Sequence, residues 1–203
     1  MDGSTMRVLI AALLFASSAA AEGFPASYFV TDVAADDTLN IRSAPSASGD
    51  ILGEYGPYDL NIEVLRTSPD GKWGFVGIGE GNGWVSMRFL AASDHQDPNS
   101  FPRPMSCFGT EPFWSLNITV RGDEYQELGD TRRDLAMTSE RVAPNGGIAM
   151  FEEGPTLNRT LIVNRAYCGD GMSDREYGWQ ATLFNDVPDG STVQTGCCTL
   201  DMN

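Results

Sequence analysis

The residues of this 203-residue chain best suited to covalent or metal chemistry are four cysteines, Cys107, Cys168, Cys197 and Cys198, and a single histidine, His95. A serine or cysteine nucleophile needs a base beside it, and the only histidine sits in a polar, proline-containing stretch that reads as a linker. A thiol oxidoreductase needs a CxxC-like pair. The vicinal Cys197-Cys198 is a poor substitute, and the absence of CxxC spacing also argues against zinc. The cysteines therefore read as disulfides. A bond between the neighbours Cys197 and Cys198 would close a strained ring, so one of them is expected to bond Cys107 and the other Cys168. Which takes which stays open. Adjacent strand residues point to opposite faces, so one bridge can lie on each side of a terminal strand.

Carboxylates, an arginine and aromatics gather near the cysteines in two segments. The first is Cys107-Phe108-Gly109-Thr110-Glu111-Pro112-Phe113-Trp114 and the second is Cys168-Gly169-Asp170-Gly171-Met172-Ser173-Asp174-Arg175-Glu176-Tyr177. Glu111 precedes a proline and should be extended at a strand entrance. If the cysteines make the two segments neighbours, Glu111 can pair with Arg175 and close one end of the module. The functional reading instead makes Glu111, Trp114, Asp170, Asp174, Arg175 and Tyr177 the rim of a binding site. Asp170, Ser173 and Asp174 lack the ligand order of a calcium loop, in which the last acid follows the first by about 12 residues; they are expected to cap turn amides. Glu111 with Asp174 is the nominal choice for a glycosidase-type carboxylate pair, and nothing in the spacing selects it. No catalytic residue, metal or cofactor is expected.

The chain begins with Arg7, an apolar run from Val8 to Phe15, and small residues ending Ala19-Ala20-Ala21 before Glu22. That order is a secretory signal peptide over residues 1–21. Its apolar run is shorter than the roughly 18 residues that span a bilayer, so no membrane span is expected after cleavage. The expected location is the bacterial periplasm or the medium. A net charge of −15 repels nucleic acid and anionic lipid at long range and attracts basic partners.

Residues 27–92 alternate in short runs: Tyr28 to Val33, Leu39 to Arg42, Ile51 to Tyr55, Ile62 to Arg66, Trp73 to Ile78 and Gly83 to Ser86. The breaks between them carry Gly, Pro and Asp turn signals. Five or six strands of this length predict a small closed barrel. Trp73 and Trp84 are expected to pack its core and turns. Tyr55 and Tyr58, flanking Gly56-Pro57, are expected to offer exposed aromatic contacts. Residues 93–106, with three prolines, read as an extended linker containing His95.

The segment Leu39-Asn40-Ile41-Arg42-Ser43-Ala44-Pro45-Ser46, then Ile51-Leu52-Gly53, Trp73-Gly74-Phe75-Val76 and Gly83-Trp84-Val85-Ser86, resembles the bacterial Src-homology-3-like family. The resemblance implies a half-open barrel used in envelope proteins for targeting or peptide binding, often of cell-wall peptide.

Residues 107–203 read as seven or eight strands: Phe113 to Arg121, Tyr125 to Glu127, Leu135 to Val142, Gly147 to Glu152, Leu157 to Tyr167, Trp179 to Phe184 and Thr195 to Met202. Asn145-Gly146-Gly147 supplies a hairpin signal. An antiparallel meander closing on itself and stapled by two disulfides is the expected architecture, so the whole chain is predicted all-β. The motifs Gly109-Thr110-Glu111-Pro112-Phe113-Trp114 and Asp170-Gly171-Met172-Ser173-Asp174-Arg175, with the closing cysteines, are similar to a family of bacterial envelope proteins and lipoproteins. That resemblance implies an envelope setting and assigns no reaction.

The expected function is binding or scaffolding outside the cytoplasm, with the Src-homology-3-like module recognising cell-wall peptide or an envelope protein and the second module supplying a further contact surface. A second reading is inhibition of a basic lysozyme-type enzyme. Ser173-Asp174-Arg175-Glu176-Tyr177 loosely resembles the Ser-Gly-x-x-Tyr loops of such inhibitors, with Asp174 in the glycine position. An envelope hydrolase using carboxylates is the third.

Overall fold

The computed structural model describes residues 23–93, 100–187 and 190–201. Residues 1–21, expected to be a signal peptide, and His95 lie outside the described residues. The described chain is all-β, with one 3-10 turn at Met87–Phe89.

Eight strands form the N-terminal module: β1 (Ala26–Val30), β2 (Leu39–Arg42), β3 (Ile51–Tyr55), β4 (Ile62–Val64), β5 (Arg66–Thr67), β6 (Trp73–Ile78), β7 (Gly81–Ser86) and β8 (Leu90–Ala92). They make a three-stranded sheet in the order β4-β1-β8 and a five-stranded sheet in the order β3-β2-β7-β6-β5. Alternation with period 2 sends Leu39, Ile41, Val76 and Val85 to one face, where they join Tyr28, Ile62 and Val64 in a common core. The two tryptophans depart from expectation. Both are only partly buried, and Trp84 packs against Phe75 at 4.8 Å between ring centres, with the Arg66 guanidinium 3.8 Å from the Phe75 ring centre. Their positions alternate out of phase with the buried Gly74, Val76 and Val85, so the pleat turns them away from the core.

The second module is a closed eight-stranded antiparallel barrel. Its strands are β9 (Met105–Thr110), β10 (Phe113–Ile118), β11 (Asp123–Glu127), β12 (Arg133–Ala143), β13 (Gly146–Glu153), β14 (Leu157–Gly169), β15 (Glu176–Val187) and β16 (Gly190–Thr199). Alternate residues such as Trp114, Leu116, Ile118, Leu161, Val163, Trp179 and Leu183 fill its interior. The hairpin expected at Asn145 forms, with Ala143 opposite Gly146.

β9 was not expected from the sequence, and the linker ends earlier than its composition suggests. Phe101 is buried in the barrel core and Met105 already belongs to β9. Prolines and Gly109 mask a strand whose inward residues are Met105, Cys107 and Gly109. Glu111, expected at a strand entrance, instead shares a two-residue turn with Pro112, because Thr110 pairs directly with Phe113.

Closure rests on β9 and β16, which pair at Cys197 with Phe108, Cys198 with Cys107 and Thr199 with Ser106. The Cys107–Cys198 disulfide crosses this ladder on the inner face, and the Cys168–Cys197 disulfide ties β14 to β16. Disulfides persist in oxidising, extracytoplasmic compartments. Among the described residues no helix is long and apolar enough to cross a membrane.

Candidate functional site

A cleft of about 890 Å³ lies against the barrel wall beside the Cys168–Cys197 bond. Its walls come from the β9–β10 turn, which presents Glu111 and Phe113, and from the β14–β15 loop, which presents Asp170 and Met172. Phe113 is 45% exposed and Met172 is 67% exposed. Phe108 also lines the cleft and is propped edge-on by Tyr177, with ring centres 5.0 Å apart. A neighbouring depression shares Phe108, Thr110, Phe113 and Asp170, so the concave surface continues around the β9–β10 turn.

Asp170 builds its wall by folding the loop on itself. One carboxylate oxygen accepts the amides of Met172 and Ser173 at 2.9 Å each, and the other accepts the Ser173 hydroxyl at 2.9 Å. Burial alone pushes this carboxyl up, but these donors outweigh it and hold it below the usual carboxylate range. The turn-capping role expected for Asp170 and Ser173 is therefore present. The Thr110 hydroxyl donates to the Asp170 carbonyl at 3.1 Å and fastens the loop to the opposite wall.

The six expected rim residues of this module divide three ways. Glu111 and Asp170 line the cleft, and Asp174 is exposed on the same loop. Trp114 is 3% exposed and belongs to the barrel core. Its indole donates toward the Thr195 carbonyl at 3.4 Å, beyond the point where β9 and β16 separate. An added Cβ on Gly109 would lie 2.2 Å from that indole nitrogen, so only glycine admits it there.

Arg175 belongs to the seam between the modules, and Tyr177 stands between cleft and seam: it lines a hollow with Pro25 and Leu65, while its ring props Phe108 and its hydroxyl donates to Asp170 at 3.5 Å. The expected Glu111 to Arg175 bridge is not formed, because the loop turns Arg175 the other way, onto Asp201 at 3.4 Å and the Gly79 carbonyl at 3.4 Å. The guanidinium lies flat on Gly77, where an added Cβ would come within 2.5 Å of its nitrogens. Tyr55 is 7% exposed and packs in the N-terminal core, whereas Tyr58 is 75% exposed. Of the two expected aromatic contacts only Tyr58 is on the surface. The Tyr55 ring is the inward residue of β3, and burial pushes its phenol well above the ordinary range.

Other seam contacts have no local sequence signal. Arg66 pairs with Glu176 at 2.5 Å, and the Glu176 backbone is read by Asn82, whose side chain accepts from its amide at 2.7 Å and donates to its carbonyl at 3.3 Å. Pro25 and Leu65 pack where Gly178 has no side chain. At the centre is Glu63, 4% exposed, which accepts hydrogen bonds from Trp179, Thr199 and Leu200 of the barrel. Its position between the apolar Ile62 and Val64 looks, in sequence, like an ordinary solvated strand face.

The barrel interior holds a second polar cluster. Arg159 is 3% exposed; it pairs with Glu153 at 2.7 Å, donates to Asn185 and covers the Tyr125 ring at 3.5 Å. Tyr125 donates to Glu127 at 2.5 Å, and Gln194 accepts from Asn185 at 2.9 Å. These groups satisfy one another within the barrel.

All four cysteines are disulfide-bonded, and among the described residues no three ligating side chains gather around a common point for a metal ion. Comparison with protein-family models, curated proteins and solved structures finds no match.

Proposed function

We propose that this is a binding protein of the bacterial periplasm or cell surface, whose second module receives a cationic, partly apolar segment of cell-wall peptide or of an envelope protein. The observation that carries the reading is the lining of the 890 Å³ cleft: Glu111 and Asp170 with Phe108, Phe113 and Met172, and no Lys, Arg or His among them. A concave site with a few convergent polar groups and exposed aromatics suits ligand capture. A protonated amine gains there both from carboxylates and from aromatic faces. The net charge of −15 steers such partners inward. Tyr58 and the exposed Ile51 and Leu52 give the N-terminal module a contact surface of its own.

A second reading, inhibition of a basic lysozyme-type enzyme, is supported by the exposed acid Asp174 on the loop that walls the cleft. In that case the loop enters the enzyme instead of the cleft receiving a ligand.

Co-sedimentation of the oxidised mature protein with purified sacculi tests the first reading. Retention is expected, with an approximately tenfold loss in the double variant Glu111→Gln, Phe113→Ala, in keeping with about 1.4 kcal/mol of lost contact. Retention unchanged by the double variant would remove the cleft as the site. Absence of retention together with inhibition of a lysozyme at micromolar protein would favour the second reading.

A further inference from the structure

Glu63 is the central group of the seam. All three of its donors belong to the barrel and all are uncharged: Trp179 Nε1 at 3.0 Å, Thr199 Oγ1 at 2.7 Å and the Leu200 amide at 3.2 Å. Among the described residues no cation forms an ion pair with Glu63, and the charged and titratable groups around it are otherwise engaged. After β16 comes Asp201, an acid, to which Arg175 of the β14–β15 loop is committed at 3.4 Å. From the module's own side come the buried phenol of Tyr55 on β3 and, in the following turn, Asp59, which accepts the Gly56 amide at 2.8 Å. Across the β1–β4 ladder stands Ser27, which is uncharged. Ionising Glu63 therefore places a negative charge in a dry seam with only neutral dipoles to meet it, which is unfavourable.

Opening the seam would relieve that charge without unfolding either module. The two hydrophobic cores are separate, one in the paired sheets and one in the barrel. Among the described residues the cross-seam ion pair is Arg66 with Glu176, whose side chains are 47% and 31% exposed, and surface pairs of this kind hold little by themselves. The other seam contacts are uncharged on at least one side: the Asn82 bonds to the Glu176 backbone, the Arg175 bond to the Gly79 carbonyl and the packing of Pro25 and Leu65 on Gly178.

We propose that the seam is a proton-operated latch: protonated Glu63 seats the N-terminal module on the barrel, and loss of that proton loosens it. Burial is the main cause of a carboxyl that titrates at about 7 rather than 4.5, the three donors offsetting it only in part. The contribution of the protonated form is fully present below the unfolded value of 4.5 and is lost as pH rises through about 7. The antilogarithm of that difference is an up to ~300-fold bias toward the closed seam at acid over alkaline pH. The latch is independent of which ligand the cleft takes.

The test is a pH series on the oxidised, mature, full-length protein, read by side-chain carboxyl carbon NMR and by small-angle scattering at pH 5.5 and 8.5. One glutamate carboxyl is expected to titrate near 7 and to vanish from the spectrum of Glu63→Gln. The radius of gyration is expected to rise with pH in the native protein and to stay small in the variant, whose neutral side chain mimics the protonated acid. If the variant does not fold, the Trp179 indole N–H of the native protein reports the same midpoint through its hydrogen bond to Glu63. Titration at or below 4.5, a static indole resonance, or a compact particle at both pH values despite ionisation would each overturn the latch.

Discussion

The indole of Trp179, 1% exposed inside the barrel, donates at 3.0 Å to the carboxylate of Glu63 on the other module. The same Glu63 oxygen accepts the Leu200 amide. One strand residue of the N-terminal module thus satisfies donors from β15, from the end of β16 and from the chain just after it. The arrangement makes the modules one unit through a titratable group, and its energetics can be measured.

Replacing Glu63 by alanine strands three donors in the seam, each costing about 1–3 kcal/mol if left unpaired. With water entering part of the space, a loss of about 3 kcal/mol is expected in urea unfolding at pH 5. At pH 8 the penalty is expected to be smaller, because the native carboxyl's contribution fades as pH rises through about 7. An equal penalty at both pH values would contradict the raised titration of Glu63.

Gly77→Ala should act on the seam and leave the cores alone. Its methyl would meet the Arg175 guanidinium at about 2.5 Å, and the flexible end of that side chain must move, breaking its contact with Asp201. A decrease in stability of about 1 kcal/mol and faster proteolysis between the modules are expected. A variant as resistant as the native protein would mean that Arg175 has an equivalent seat elsewhere.

The two disulfides should differ in weight. Cys107–Cys198 spans 91 residues and Cys168–Cys197 spans 29, for which chain entropy alone gives about 4.6 and about 3.6 kcal/mol respectively. The first also holds the short β9–β16 ladder that closes the barrel. Paired Cys→Ser substitutions compared by chemical denaturation are expected to rank in that order, and the reverse order would show that closure does not depend on that ladder.

Arg159→Leu should be among the most damaging changes in the barrel. It removes a buried cation from Glu153, Asn185 and the Tyr125 face, and breaking a buried pair from one side costs about 3–5 kcal/mol. Because Arg133 still reaches Glu153 at 3.2 Å, a loss near 3 kcal/mol is expected in the denaturation midpoint analysis. A near-neutral effect would mean that leucine fills the space as well as the polar cluster does.

Much of this architecture could be read directly from the chain. Period-2 alternation identifies Leu39–Arg42, Ile51–Tyr55 and Trp73–Ile78 as strands with the bounds the structure has, because a half-buried strand imprints its pleat on its own residues. The vicinal cysteines likewise allowed one bridge on each face of the closing strand, and the structure has them so. Short strands, turn residues and an even cysteine count determined the all-β, disulfide-stapled class.

What the chain could not decide was which residues meet. Cys198 takes Cys107 because the β9–β16 register sets them opposite each other, and register is a property of two strands together. Tyr55 and Tyr58 flank one turn and look alike in sequence; only the packed sheets bury the first and expose the second. Arg175 answers to Asp201 instead of Glu111 because a loop capped by its own Asp170 turns it toward the seam. Glu63 and Trp179 are separated by 116 residues, and no local pattern relates them. Their pairing exists only once two separately cored modules come together and exclude water from the carboxylate between them.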